Sequence, residues 1–461
     1  MSLVGHKIKE SNAINQLIKN ILTEIQTINS NVSGIRPPQP ECKDRNDKLM
    51  KRVEELRGRG LYYPYVGTGA GNGVYVELED GSTKIDLING IGIHILGHSH
   101  PKVIEASLRG SLSDILMQGN LQLNQDWIQL SERLVNLASK NSRLKYSWIT
   151  TSGSMANENA IKMARQKNTP ARKILSMYNE FAGRTTLMTE ISDNPSFKVG
   201  LPTYDEVLRV PFFSKKDARS SEKALEILRK HISENPKNIS SFMFEPMQGE
   251  GGYRVAPREY FIPLLEECRK SNIAVIADEI QTFCRTGEMF AFEKIGFGDY
   301  VDICTVAKTV QVGVTLYTEE YNPKPGLIAG TFAGSTPQLT VGAEILRILT
   351  EEGYTGKDGK IQHVHNKFVG MLEDLGNGSC KGQVSEVEGL GLMIGFTAFD
   401  GSAEKQGALL KKLYANGVIA FGCGRDPYRV RFLVPAIITD AQIQEVGDVM
   451  EKSIKEVSSG N

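Results

Sequence analysis

Between about residues 100 and 335 the chain alternates short apolar runs with stretches of helical period. Ser240–Phe244, Ile273–Ala277 and Val301–Thr305 are the clearest runs, and each leads into a polar or reactive side chain. Runs this short and this apolar read as strands buried on both faces rather than as amphipathic helices. Strands alternating with helices predict an α/β fold, a mostly parallel sheet covered on both faces. In such sheets ligands collect beyond the carboxyl ends of the strands. The chemistry is therefore expected in the residues that follow each run.

Other parts of the chain follow different patterns. Ile14, Leu17, Ile18, Ile21, Leu22, Ile25 and Ile28 repeat at three and four, an apolar stripe on one helix face. With about two heptads it is too short for a free coiled coil, so it is expected to pack on its own subunit or a neighbour. Ser30–Pro40 has linker composition, and a polar helix follows over about 47–57. The glycines of Gly67–Gly73 read as a flexible connection, and Val74–Gly81 reads as a hairpin strand and turn. Beyond about residue 340 helices mix with two or three strands, including Leu392–Ala398 and Tyr428–Leu433. The expected units are an N-terminal helical segment and linker (1–73), a large domain (74–338) and a smaller α+β C-terminal domain (339–461).

Composition excludes several classes. The 461 residues carry 54 basic and 54 acidic side chains, so charge argues against nucleic acid or an anionic membrane as a partner. Apolar residues are 40% and charged residues 23%, ordinary for a globular protein. No run is apolar enough to span a membrane, and the first residues lack signal-peptide order. The six cysteines have no CxxC spacing. A structural zinc site or disulfide scaffold is not expected, and the thiols fit a reducing, cytoplasmic location.

Four run ends carry reactive groups. Ser152-Gly153-Ser154 leads from a strand into a helix, a place where free amides and the helix dipole favour a phosphate; an ordinary N-cap explains the same residues. Glu245 and Glu250 lie in a glycine-rich loop, which on its own is equally an exposed polar loop. Asp278 directly follows an apolar strand, where a buried acid needs a partner. Lys308 follows another, where burial would lower its pKa and make it a nucleophile toward aldehydes. A Schiff-base lysine, an acid for a pyridinium nitrogen and a phosphate-binding helix end are together the requirements of pyridoxal 5′-phosphate (PLP).

The order of these groups resembles the class III aminotransferases, the ω-amino acid branch of the fold-type I PLP enzymes. This branch includes acetylornithine, 4-aminobutyrate, ornithine and lysine ε-aminotransferases. The resemblance runs from about Gly73 to Pro435 and is most specific over Phe244–Lys308. It implies that Lys308 forms the Schiff base and moves the proton. It implies that Asp278 pairs the ring nitrogen, Gln281 contacts the phenolic oxygen, and Phe181 stacks on the ring. Ser152, Gly153 and Ser154 would hold the phosphate, with Glu245 beside the cofactor. Thr331 would reach the phosphate of the other subunit of a homodimer with shared active sites. Glu250 and Arg431 match a switch pair that admits either substrate, and Ile91 and Arg184 fall at substrate-binding positions. His98 and His100 lie in a family turn and read as structural. The implied reaction carries a terminal amino group from an ω-amino acid to 2-oxoglutarate by a ping-pong mechanism. The partners are then small molecules, with no metal.

Some positions depart from the family pattern. Ala182 stands where a His or Trp is usual. Thr309–Gly313 lacks a glycine run and is nearer the lysine ε-aminotransferase branch. Ala333-Gly334-Ser335-Thr336 replaces Gly-Gly-Asn-Pro. Ile91 in place of tyrosine weighs against free ornithine as donor. The competing readings are an aminomutase, epimerase or decarboxylase on the same scaffold, or a non-catalytic subunit. The Glu250/Arg431 match argues against the first group, and retention of both Lys308 and Asp278 against the second.

Overall fold

A computed structural model describes residues 3–119 and 121–460. In chain order its main elements begin with helices α1 (Asn12–Asn29) and α2 (Lys43–Arg57) and strands β1 (Gly67–Asn72), β2 (Tyr75–Leu78) and β3 (Thr83–Asp86). The large sheet is built from β4 (Tyr146–Thr150), β5 (Lys173–Met177), β6 (Val207–Val210), β7 (Ile239–Phe244), β8 (Ala274–Asp278), β9 (Ile303–Val306) and β10 (Gly313–Tyr317). Helix α3 (Gly153–Lys167) follows β4, and α4 (Thr336–Glu351) follows the sheet. The C-terminal part holds β11 (Val384–Leu390), β12 (Met393–Ala398), β13 (Val418–Ile419), β14 (Phe421–Cys423), β15 (Arg429–Leu433) and helix α5 (Asp440–Ser458).

The large sheet has the order β4-β10-β9-β8-β7-β5-β6. Strand β10 is antiparallel to both its neighbours, and the other pairings are parallel. The expected mostly parallel sheet is thus present. Every residue of β7, β8, β9 and β10 is buried, which is why these runs do not alternate in polarity. Helix α3 packs on the sheet through Ala156, Ala160 and Ala164, small residues at helical spacing that let the helix approach closely.

A second sheet, β11-β12-β15-β14, is antiparallel throughout. A third, β1-β2-β3-β13, joins both chain ends, because β13 pairs in parallel with β3. It therefore draws strands from all three of the expected units. Between β3 and the second sheet, Leu433 N donates to Leu87 O at 2.7 Å and Asn89 Nδ2 to Leu433 O at 2.6 Å.

One expectation needs correction. The Gly67–Gly73 stretch is not merely a flexible connection: Gly67–Asn72 is a strand paired with β2. Its Gly71 serves close approach, since a Cβ there would lie 2.6 Å from the Cβ of His98. The helix expected to follow Ser152-Gly153-Ser154 begins at Gly153, capped by Ser152. The apolar stripe of α1 is only partly covered. Ile18 is buried, whereas Leu17, Ile21 and Ile28 are exposed. Among the described residues no helix is long and apolar enough to cross a membrane, no cluster could hold a metal ion, and all six cysteines are free.

Candidate active site

The carboxyl ends of β4, β7, β8 and β9 face one cavity of about 390 Å³. Ser152, Gly153, Ser154, Phe181, Arg184, Glu245, Asp278, Gln281 and Lys308 all line it. Nine sequence-predicted residues from five separate stretches are thus brought together by the sheet.

Asp278 ends β8 and is 4% exposed. Its Oδ1 accepts from Ile280 N at 3.0 Å and its Oδ2 from Asn157 Nδ2 at 2.7 Å. Burial pushes its pKa up to about 6, opposed by these hydrogen bonds and by the Lys308 charge. Lys308 follows β9 in a tight turn with φ of 53°, a left-handed conformation costly for a side chain of this size. Burial lowers its pKa to about 8, against the attraction of Asp278. The neutral amine is therefore accessible close to neutral pH.

Helix α3 presents its N-terminus to the cavity. The amides of Gly153 and Ser154 precede the first intrahelical bond, Ala156 N to Ser152 O at 3.0 Å. Ser152 Oγ accepts from Met155 N, so the N-cap reading holds and leaves those two amides for an anion. Gly153 lets Ile280 pack close, since a Cβ there would lie 2.8 Å from Ile280 Cδ1 and would have to displace that side chain. Ser154 Oγ accepts from Arg184 N at 3.3 Å, tying the helix start to the Phe181–Arg184 turn.

Glu245 holds that turn from below. Its Oε2 accepts from Phe181 N at 3.1 Å and its Oε1 from Gly249 N at 3.0 Å. Burial and the nearby Asp278 hold its carboxyl well above the usual range. Glu180 is raised as well, by burial and then by Glu245 and Asp278. Arg184 is exposed and lines the cavity, and its guanidinium lies over the ring of Phe197, 3.4 Å from the centroid.

Glu250 and Arg431 form an ion pair, Arg431 Nη2 to Glu250 Oε1 at 2.5 Å. Arg431 is 1% exposed and Glu250 is one-third exposed. Neither lines the cavity, but the loop carrying Glu250 abuts it. Gly249 packs on Gln281, whose Oε1 would lie 2.7 Å from a Cβ at that position. Ile91 is exposed with φ of 61° and does not line the cavity; Ile93 does. Thr331 is exposed and also lies outside the lining. His98 Nε2 lies 3.0 Å from Asp86 Oδ2, away from the cavity lining and consistent with its structural reading.

Sequence reasoning gave no role to Asn157. It donates to both Asp278 Oδ2 and Ala182 O, and its Oδ1 accepts from Thr305 Oγ1 at 2.7 Å. Its partners are 121 and 148 residues away along the chain, apart from Ala182 at 25, so no local pattern reveals it. Ile93, Ala182, Gln311 and Val312 line the cavity as well.

These groups fit PLP. An amine of lowered pKa, a buried acid already oriented by two donors, a free helix N-terminus and an aromatic ring surround one cavity of the right size. Comparison with known proteins agrees. Residues 63–454 match the aminotransferase class-III family, a longer stretch than the motifs alone suggest. The chain is 31% identical over 401 residues to the acetylornithine aminotransferase of Methanocaldococcus jannaschii, covering 84% of this chain and 93% of that one. It is 29% identical over 434 residues to the 4-aminobutyrate aminotransferase of Mycobacterium leprae, covering 88% and 94%. The lysine aminotransferase of M. tuberculosis shares the fold, with a TM-score of 0.79 at 22% identity over 88% of this chain and 99% of that one. The chain therefore belongs to the class III aminotransferases and is a PLP-dependent transaminase.

Proposed function

We propose that this transaminase takes the terminal amino group of an ω-amino acid of the acetylornithine, 4-aminobutyrate or lysine type. It passes that group to 2-oxoglutarate in two successive half-reactions at one site. The carrying observation is the Glu250–Arg431 ion pair beside the cavity of Lys308 and Asp278. The names of the relatives support the donor class, since they include acetylornithine, 4-aminobutyrate and 5-aminovalerate aminotransferases.

When bound, PLP supplies the electron sink that makes the carbon–hydrogen bond beside the amine acidic. The chain's residues do the rest. Lys308 holds the cofactor and, with its lowered pKa, moves the proton at the reacting carbon. Asp278 keeps a proton on the ring nitrogen. Gly153 and Ser154 amides hold the phosphate, with Ser152 fixing the helix start. Phe181 covers the ring, and Glu245 anchors the Phe181 amide. Gln281 approaches the phenolic oxygen. Arg184 presents its guanidinium to the distal carboxylate of either substrate, and Ile91 sits on the turn that delivers Ile93 to the cavity wall.

The donor has no carboxylate beside its reacting carbon, whereas 2-oxoglutarate does. With Glu250 on Arg431 the cationic charge is cancelled and the ω-amine is admitted. With Glu250 displaced, Arg431 makes a bidentate bond to the oxo acid. Glu250→Ala is expected to favour α-amino acids over ω-amines, by about tenfold in relative rate, roughly 1.4 kcal/mol. Arg431→Ala is expected to impair mainly the 2-oxoglutarate half-reaction. Single-turnover kinetics followed at the cofactor measure both. Equal losses in both half-reactions for both variants would show that the pair is only scaffold. A donor screen against 2-oxoglutarate, following glutamate, tests the substrate class. Failure of every ω-amine would refute it.

The active unit is proposed to be a homodimer. Thr331 is exposed outside its own cavity, and exposed Leu116, Met117, Leu121 and Phe332 lie in or near the paired segments Met117–Gln118 and Gly334–Ser335, the second of which Thr331 precedes. This arrangement suits a threonine that reaches the phosphate of the second subunit. Sedimentation at assay concentration is expected to give a dimer. A fully active monomer would overturn the assignment.

A further inference from the structure

Arg431 has two cross-strand neighbours, Gly395 on β12 and Phe421 on β14. Residues directly opposite in a sheet share a face. Gly395 leaves a gap on that face, and Tyr253 fills it: a Cβ on Gly395 would lie 3.4 Å from Tyr253 Cβ and 3.5 Å from Cδ2. The guanidinium is therefore flanked by two rings, Tyr253 at 5.7 Å and Phe421 at 5.2 Å from their centroids.

Tyr253 is an unusual residue for this place. Its φ is 54°, a left-handed conformation that a bulky side chain rarely adopts. Its ring is fully buried among Met247, Met393, Cys423 and Leu433. Its hydroxyl is buried with no hydrogen-bond partner among the described residues. Two nitrogens of Arg431, Nε and Nη1, are likewise buried and unpartnered, because Glu250 takes only Nη2. Buried donors without acceptors are rare in folded proteins and call for a ligand or a function. A phenylalanine would pack here equally well, so packing does not account for the hydroxyl.

We propose that the Tyr253 hydroxyl is a further donor to the substrate carboxylate that Arg431 holds, and so a specificity residue for substrates with a carboxylate beside the reacting carbon. This rests on the carboxylate-binding role of Arg431 given above. A carboxylate has about four lone-pair sites. The guanidinium edge occupies two, and the phenol supplies another donor from the flanking ring. An ω-amine offers no such acceptor, so the hydroxyl favours the oxo acid and α-amino acids alone.

Tyr253→Phe removes only the unpartnered hydroxyl and keeps the ring. The variant is expected to fold, with a thermal midpoint equal to or above that of the parent. Half-saturation by 2-oxoglutarate in the single-turnover half-reaction is expected to rise about tenfold, the ratio that 1.4 kcal/mol corresponds to, with little change in maximal rate. The ω-amine half-reaction should stay within about twofold. Arg431→Ala is measured alongside. If Arg431→Ala impairs the 2-oxoglutarate step and Tyr253→Phe does not, the tyrosine assignment falls and the arginine reading stands. If neither variant impairs that step, the arginine reading falls and takes the tyrosine with it. A lowered thermal midpoint with equal losses in both half-reactions would make Tyr253 a packing residue.

Discussion

Lys308→Ala is expected to reduce turnover by about 10³-fold or more, because acid–base catalysis at the reacting carbon is lost together with the covalent anchor. The cofactor should nevertheless stay bound. Its phosphate is assigned to the Gly153 and Ser154 amides and its ring to Asp278 and Phe181, all on other stretches of chain. The protein should also keep its fold. The lysine's pKa falls from 10.5 to about 8 by burial, so below about pH 8 the folded state carries a charge it holds less well than the unfolded chain does. That destabilisation is full below about pH 8 and fades as pH rises toward 10.5. The cofactor-free variant is therefore expected to be at least as heat-stable as the parent at neutral pH, the difference closing at high pH. Glutamate formation, cofactor content after gel filtration and melting curves at several pH values test each part. Near-native transamination would remove Lys308 from the mechanism.

Asp278→Asn is expected to fold, bind PLP and lose about 10²–10³-fold in rate, roughly 2.7–4 kcal/mol, the scale for removing a preorganised charge. Two effects act together. A neutral amide no longer holds a proton on the ring nitrogen. Its NH₂ group also meets a donor on one side, because the carboxylate accepts from both Ile280 N and Asn157 Nδ2. Asn157 has little freedom to turn over, since it also donates to Ala182 O and accepts from Thr305 Oγ1. Asn157→Ala should therefore reproduce part of the defect while leaving the carboxylate in place. The measurement is the single-turnover rate of each half-reaction. A loss below about tenfold for Asp278→Asn, less than 1.4 kcal/mol, would make Asp278 a structural residue.

Much of the architecture was legible in the order of residues. Strands β7, β8 and β9 fall within a residue or two of the apolar runs, because a strand buried on both faces must be apolar throughout and short. Glu245, Asp278 and Lys308 stood out because each interrupts or follows such a run, where an unpartnered polar group would be costly. The sequence alone therefore determined the sheet class, the edge of the sheet where chemistry gathers and, through the spacing of its motifs, the family. Only the tertiary structure decided which distant groups meet. Asn157 reaches Asp278 and Thr305 across the helix–sheet interface, β13 joins the far end of the chain to β3, and Tyr253 occupies the space that Gly395 leaves beside Arg431. Glycine strands such as Gly67–Asn72 were equally hidden, since their pairing depends on a neighbour rather than on their own side chains. Local patterns record burial and periodicity, which each residue expresses by itself. Contacts between distant segments depend on strand order and helix packing, which no single segment encodes.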